Sequence, residues 1–307
     1  MSFTSRKTID ERSKEKISKD FKENYLGSEI KDIEWSGNKF LCKKGKLKEE
    51  TYTKILQRIN YFRRTAGVND SIELDDSYNN IAQAAAFIMY CNDRLTHEPS
   101  KDLKCYSEEG YDGASTSNLS LLIKGEFSRL ITDQMEDDGS GNEECGHRSW
   151  ILFPERKKMG FGATISSYAL QVINGTKNKR QIPSYYSWPS CGFVPFQIVF
   201  KRWSFVIPNG NVDFSKAKVE MLVEGSIVKC SLTHKLKQGD DCIVWQVQGL
   251  QNDFNYSYYS MDTKKKAFQK LNLMDKKITV KIYNDKQNNE VKDYKYDVYI
   301  FDPMEVN

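Results

Sequence analysis

Apolar side chains are sparse and aperiodic through residues 1–48, where Lys and Glu dominate and only Ile30, Ile33 and Trp35 stand out. That pattern predicts a loosely ordered polar extension docking one segment. A helical period begins at Glu49. Ile55, Ile59 and Phe62 recur on one face, and Gly67 stands where a left-handed helix stop is wanted, so a helix is predicted over 49–66. Asp75 or Asp76 can cap a second helix through Ile81, Ala82, Ala84, Ala85, Ala86, Ile88 and Met89, ending near Cys91 or Asn92. Its small side chains permit close packing. The stretch from His97 to Leu119 is rich in Pro, Ser, Gly and Asp and reads as loop. A third helix is predicted from Ile123 to Met135, with Phe127, Leu130 and Ile131 on one side. The turn cluster Asp137 to Asn142 then leads into a short helix from Gly146 to Leu152, stopped by Pro154.

Beyond Pro154 the period changes from helical to alternating. Met159 to Thr164 and Tyr168 to Ile173 read as paired strands. Pro183, Pro189 and Pro195 bracket an aromatic stretch, 181–196, expected as an interdomain connection. In 197–307, candidate strands are Gln197 to Val206, Ala217 to Val223, Ser226 to Leu232, Cys242 to Val247, Lys277 to Tyr283 and Tyr294 to Phe301. Turns such as Glu224-Gly225 and Gln238-Gly239-Asp240 separate them, which suits a small antiparallel sandwich.

A length of 307 residues favours two domains plus an extension. With 39% hydrophobic and 12% aromatic residues, the chain can fill packed cores. The net charge of +4 arises from 46 basic and 42 acidic residues spread along the sequence, too balanced for a nucleic-acid footprint. The Lys-rich runs Lys43 to Lys48 and Lys264 to Lys266 read as solvated faces with no assigned partner. No apolar run suffices to span a bilayer, and Met1 to Lys22 has no hydrophobic core of a secretion signal. The seven cysteines show no short metal-ligand spacing, and their odd number leaves at least one thiol free or intermolecular.

Three histidines bear on chemistry. His234 lies beside a predicted strand and is expected to be structural. His97 and His147 sit in Gly/Pro/Ser-rich segments flanking helices, where a polar side chain can face a cleft. Brought together, two neutral imidazoles can bind Zn²⁺ with a carboxylate completing the site; the plainer alternative is a pair of hydrogen-bonded histidines. Cys91, Cys105 and Cys145 near them are expected in packing or disulfide roles. Trp188, Trp203 and Trp245 could stack on carbohydrate, but a sandwich usually buries its tryptophans, and Tyr256, Tyr258 and Tyr259 offer a rival aromatic surface.

The text around these residues resembles a known family. ILQRINYFRRTA at 55–66 followed by LDDSYNNIAQAAAFI at 74–88 resembles the opening of CAP domains, the class of cysteine-rich secretory proteins, antigen 5 and pathogenesis-related proteins. GHRSWILFP at 146–154, followed by Gly160-Phe161-Gly162, is similar to the bacterial form of the family's Gly-His signature and the strand behind it. LTHEPSKDLKCYSEEGYDGASTSNL at 95–119 is similar to the segment carrying the first cavity histidine. WPSCGFVPFQIVFKRWSF at 188–205 resembles the linker and first strand of the β-sandwich appended to some bacterial CAP proteins.

The resemblance implies an α+β chain: an α-β-α sandwich over 49–180, a linker at 181–196 and an all-β sandwich over 197–307, after the extension 1–48. It implies a secreted or cell-envelope protein whose cleft is lined by His97, His147, Ser117, Asn118 and Arg148, with Zn²⁺ or another divalent cation as the cofactor to consider. Where the family has Gly-Glu-Asn this sequence has Thr116-Ser117-Asn118, so Ser117 replaces an expected carboxylate. The second acid has no clear match, leaving Asp133, Glu136, Asp138, Glu143 and Glu144 as substitutes. A missing carboxylate removes a candidate general base, and Ser117 lacks the nucleophile elbow of a hydrolase. The expected function is therefore a non-catalytic cleft for an unknown ligand or extracellular partner, carbohydrate included. A metal-dependent hydrolase of peptide or glycan using His97 and His147, and a structural adhesin, are the alternatives.

Overall fold

Lys14–Asp20 forms helix α1, capped by Ser13, whose hydroxyl accepts from the Lys16 amide, and the helical path runs on in altered turns through Ser28. The computed structural model describes residues 3–4, 13–68, 72–122, 127–175, 182–208, 212–235, 237, 241–253, 260–283 and 293–306. Within these the chain is α+β.

Helix α2 (Glu49–Ala66) ends at Gly67, whose φ of +74° is the left-handed stop its sequence announces. Helix α3 (Asp76–Asn92) starts at Asp75, whose carboxylate accepts from the Ser77 and Tyr78 amides. Helix α4 (Glu108–Ser115) occupies part of the stretch expected as loop. Its Gly110 and Gly113 weaken helix propensity but allow contact: a Cβ at Gly113 would come under 3.0 Å from the Ile81 carbonyl of α3. Of the helix expected over 123–135, Thr132–Glu136 (α5) is helical and 128–131 is a turn, while 123–126 lie outside the described residues. Helix α6 (Gly146–Leu152) follows the turn cluster.

Between these helices lies a four-stranded sheet, ordered β2 (Glu73–Leu74), β4 (Lys158–Ala163), β5 (Ser167–Gln171), β3 (Ser117–Leu121). β2 runs parallel to β4 and the other pairs are antiparallel. Period-two alternation divides its faces. Met159, Phe161, Tyr168 and Leu170 enter the main core with Ile59 and Phe62 of α2 and Ile151 and Leu152 of α6. On the opposite face Ala169 joins Ala82, Ala85, Ala86 and Met89 of α3 and Ala114 of α4. The result is three layers, α-β-α. Past the short β2, the open edge of β4 is satisfied by α3 itself: the Phe161 amide donates to Asn79 Oδ1 at 2.8 Å and the Ala163 amide to Gln83 Oε1 at 3.1 Å, and Gln83 Nε2 donates to the Ala163 carbonyl at 2.9 Å.

The second half holds two sheets. One is ordered β1 (Phe3–Thr4), β14 (Asp293–Phe301), β13 (Lys277–Tyr283), β9 (Lys218–Val223), β10 (Ser226–Val228), with β7 (Gly192–Pro195) parallel to β14. The other is ordered β11 (Cys230–Leu232), β12 (Cys242–Val247), β8 (Arg202–Val206), β6 (Tyr186–Trp188). They pack face to face. Trp245 Nε1 of β12 donates to Met221 Sδ of β9 at 3.2 Å, and Phe205 of β8 stacks on Tyr296 of β14. Trp188, Trp203 and Trp245 are fully buried, so they are core rather than a stacking surface. Tyr256, Tyr258 and Tyr259, like the turn at 238–240, lie outside the described residues. Among strands expected here, Gln197 to Ile198 instead belongs to a 3-10 turn, and helix α7 (Ser260–Lys270) occupies a stretch for which no element was expected.

Two expectations about the chain's organisation are corrected. Residues 182–196, most of the expected linker 181–196, are not a mere connection: β6 and β7 enter different sheets, with Tyr186, Trp188 and Val194 buried. Nor is 13–48 loosely ordered. Phe21, Ile30 and Ile33 are buried, Tyr25 stacks under the Arg58 guanidinium of α2, Ser18 Oγ donates to the Pro303 carbonyl at 2.6 Å, and Lys22 Nζ donates to the Val306 carbonyl at 3.0 Å. Few apolar side chains suffice there because both halves already offer packing surfaces. One core cluster spans them, with Phe62 of α2 edge-on to Trp188 of β6 at 5.5 Å. Cys42 and Cys105 form a disulfide, and Cys91, Cys145 and Cys230 are free thiols. No helix among the described residues is long and apolar enough to cross a membrane.

Candidate functional site

A cleft of about 460 Å³ opens where the loop after α3, the start of β3, the 139–147 segment and the end of β11 converge. It is lined by all three histidines, His97, His147 and His234, together with Ser117, Asn118 and Trp150. His234 was expected to be structural. It follows β11 in a bend held to the other half by Thr233, whose hydroxyl donates to the Glu143 carbonyl at 2.6 Å. The second half of the chain thus contributes a wall of the cleft.

A hydrogen bond at Nδ1 fixes each of the first two rings, to a backbone carbonyl in one and to a side-chain carboxylate in the other. His97 Nδ1 is 2.9 Å from the Ala114 carbonyl, which can only accept, so Nδ1 carries the proton and Nε2 of the neutral ring keeps its lone pair. His147, on the first turn of α6, has Nδ1 2.8 Å from Asp137 Oδ1, with the same consequence. Asp137 is fully buried, and its other oxygen accepts from the Arg148 amide at 3.1 Å. Asp137 is the carboxylate that the sequence did not single out: it follows α5 in the left-handed region, φ +59°, inside a turn cluster where every acid looks solvated.

The proposed substitutes take other positions, two of them on the cleft wall. Asp133 and Glu136 bind Arg129. Glu143 and Glu144 line the cleft, and Glu144 reaches Lys237 at 3.6 Å.

Ser117 and Asn118 both line the cleft, in different roles. Asn118 Nδ2 donates to the His147 carbonyl at 3.1 Å, bracing α6. Ser117 Oγ is buried without a hydrogen-bond partner, so no imidazole is placed to activate it. Arg148 is corrected: it is buried away from the cleft, where its guanidinium donates to the Met135 and Glu136 carbonyls and to Ser204 Oγ. Adjacent residues of a helix point about 100° apart, so an arginine next to a cleft histidine on this short helix turns away from the cleft and finds its acceptors in the core. Arg202 of β8 completes the brace by donating to the carbonyls of Asp137, Gly139 and Asn142. Burial pushes the Cys145 thiol up to about 11, which leaves it protonated and removes a Cys/His pairing.

No family model, no curated protein and no solved structure matches the chain. The chemistry of the cleft follows from its own atoms. Zinc held by the protein needs three or four donors, and no group of three His, Cys, Asp or Glu able to share a metal occurs among the described residues. The residues present do not fit that cofactor. They fit a ligand that donates hydrogen bonds: two imidazole acceptors fixed in one tautomer and two rim carboxylates, beside the partly exposed indole of Trp150, against which the Arg156 guanidinium lies 5.7 Å from the ring centroid.

The Asp137 brace has a measurable consequence. In Asp137→Asn the shape is kept, but the amide cannot accept from both the His147 ring and the Arg148 backbone, so either one buried donor is left unpaired or the His147 ring is forced into the Nε2–H tautomer. Urea denaturation is expected to show a loss of about 1–3 kcal/mol; an unchanged midpoint would mean that Asp137 does not hold both groups.

Proposed function

We propose that the chain is a CAP-type protein, extracellular or cell-envelope by that resemblance, whose cleft captures a neutral hydroxyl- or amide-bearing ligand, saccharide or peptide, without transforming it. One observation carries the reading: His97 and His147, far apart in sequence, line the same cleft with Nδ1 turned back into the protein and Nε2 left for a ligand. The order of elements supports the family: α2, the Asp75-capped Ala-rich α3, the His97 loop, the Gly-His helix α6, then the β4–β5 hairpin with its Gly160-Phe161-Gly162 run. Binding without turnover is favoured because Ser117 Oγ has no base on it and the imidazoles share no set of metal donors among the described residues.

The test uses two probe sets, N-acetylated oligosaccharides and short peptides, titrated while the histidine ring signals are followed by NMR. A binder is expected to move the His97, His147 and His234 signals together, and Trp150→Ala to weaken it about tenfold or more. Probes that shift no histidine, or that are cleaved in the tube, would defeat the reading, the first by emptying the cleft of a role and the second by making it an enzyme.

A further inference from the structure

We propose that the tip at Lys39–Leu41 is a docking finger for the surface of an anionic lipid bilayer. Phe40 is 88% exposed and its neighbour Leu41 is 64% exposed. One exposed apolar side chain is ordinary on a protein surface, but two large ones in succession on a protruding turn are not. They also lie in an unusual charge setting. The segment 38–48, NKFLCKKGKLK, holds five lysines and no acid. Lys44 and Lys48 pair with Glu109 and Glu34, whereas Lys39, Lys43 and Lys46 have no carboxylate partner among the described residues, nor does the exposed Lys104 beside Cys105.

The finger is rigid. Asn38 Oδ1 accepts from the Phe40 and Leu41 amides at 2.9 and 3.2 Å, Asn38 and Lys43 exchange two backbone hydrogen bonds of 2.7 and 2.9 Å, and Trp35 Nε1 donates to the Lys44 carbonyl at 2.7 Å. The Cys42–Cys105 disulfide ties the turn to the segment before α4. A loop fixed in this way presents Phe40 and Leu41 with little backbone ordering cost on contact. Lys39 bends over the Phe40 and Tyr90 rings at 5.7 and 5.5 Å, keeping its charge beside the apolar tip.

An apolar tip flanked along the chain by lysines without carboxylate partners among the described residues matches a bilayer interface in both respects. The rings and methyls enter the acyl boundary while the lysines stay at the level of the lipid phosphates. A protein partner would need an apolar socket with acids around its rim. A lipid surface supplies both without shape matching.

The full chain is mixed with vesicles of phosphatidylcholine alone or with one third phosphatidylglycerol. Sedimentation is expected with the anionic vesicles and not with the neutral ones. Phe40→Ala/Leu41→Ala should bind about tenfold more weakly or worse, and Lys43→Glu/Lys46→Glu should lose at least roughly fivefold per lysine. Because both side chains of the apolar pair are exposed, circular dichroism should find that variant folded. Phe40→Trp gives a readout separate from affinity, since its emission is expected to shift to the blue on anionic vesicles only. The proposal is overturned if the chain ignores anionic vesicles, as it would if the tip serves a protein partner, or if Phe40→Ala/Leu41→Ala binds them as the parent does.

Discussion

Gly162→Ala is expected to cost about 3 kcal/mol or more and to leave little folded protein at ordinary temperature. β4 lies so close to α3 that a Cβ at Gly162 would come under 3.0 Å from the Gln83 backbone, and one at Gly160 would do the same to Tyr78. Neither obstacle is the end of a flexible side chain, so relief means moving the helix. Moving the helix would also part Asn79 and Gln83 from the amides of Phe161 and Ala163. Chemical denaturation should show the loss, and Gly141→Ala, where nothing lies within 4 Å of the added carbon, should be close to neutral. Equal effects at the two positions would mean that the α3–β4 approach is looser than described.

Asp253→Ala should be of similar severity, by a different mechanism. Asp253 is buried between the halves, where Oδ1 accepts from Lys264 Nζ at 2.5 Å and Oδ2 from Arg129 Nη1 at 3.2 Å. Arg129 also holds Asp133 and Glu136, and Glu136 Oε1 accepts from the Asp253 amide at 2.5 Å. Removing the Asp253 carboxylate leaves Lys264 in the core with the Gln197 carbonyl as its one hydrogen-bond acceptor among the described residues, and a loss of about 3–5 kcal/mol is expected in urea. Asp253→Leu/Lys264→Met, which removes both charges, should lose less.

The same cluster sets a pH dependence. Burial, then repulsion from Asp253, pushes the Glu136 carboxyl up to about 7 from 4.5, and burial raises Asp133 in the same sense. A carboxyl raised on folding binds its proton more tightly in the folded chain. Its contribution is therefore fully present below 4.5 and is lost as pH rises through about 7. Glu136→Gln should flatten thermal stability across that window. A slope that survives the substitution would remove Glu136 as its source.

How much of this could be read beforehand depended on whether a residue's partner was local. Helices α2 and α3 announce themselves through a 3.6-residue period with a cap at Gly67 or Asp75, and β4, β5, β9, β12, β13 and β14 through alternation. Each is decided within a dozen residues. Helix α4 was hidden because Gly110 and Gly113 argue against helix locally, while α3 supplies the reason to keep them. Helix α7 was hidden because Lys264, Lys265 and Lys266 read as a solvated run, yet Lys264 is wholly buried on Asp253 and Lys265 is paired with Asp302 and Glu305. Residues 13–48 and 181–196 looked like extension and linker because their packing surfaces belong to other segments.

The cleft divides in the same way. His97 and His147 stood out as rare residue types in loops, so they could be singled out from the text. Asp137 could not, because nothing distinguishes it from Asp133, Asp138 or Glu143 until the chain folds and one carboxylate meets the His147 ring. His234 and Arg148 were exchanged in role for a related reason. Which way a side chain faces at a short element's end is set by the partner sheet, here β8 and β11, rather than by its own neighbours.

Nitrogen-15 spectra of the three histidine rings, with nuclear Overhauser contacts from their carbon-bound protons, bear most directly on a cleft shared by His97 and His147. The expected result is Nδ1–H for both neutral rings, with contacts from each to side chains of the common wall, Ser117 and Asn118 among them. A proton on Nε2 of either ring, or contacts that place the two rings among unrelated neighbours, would contradict it.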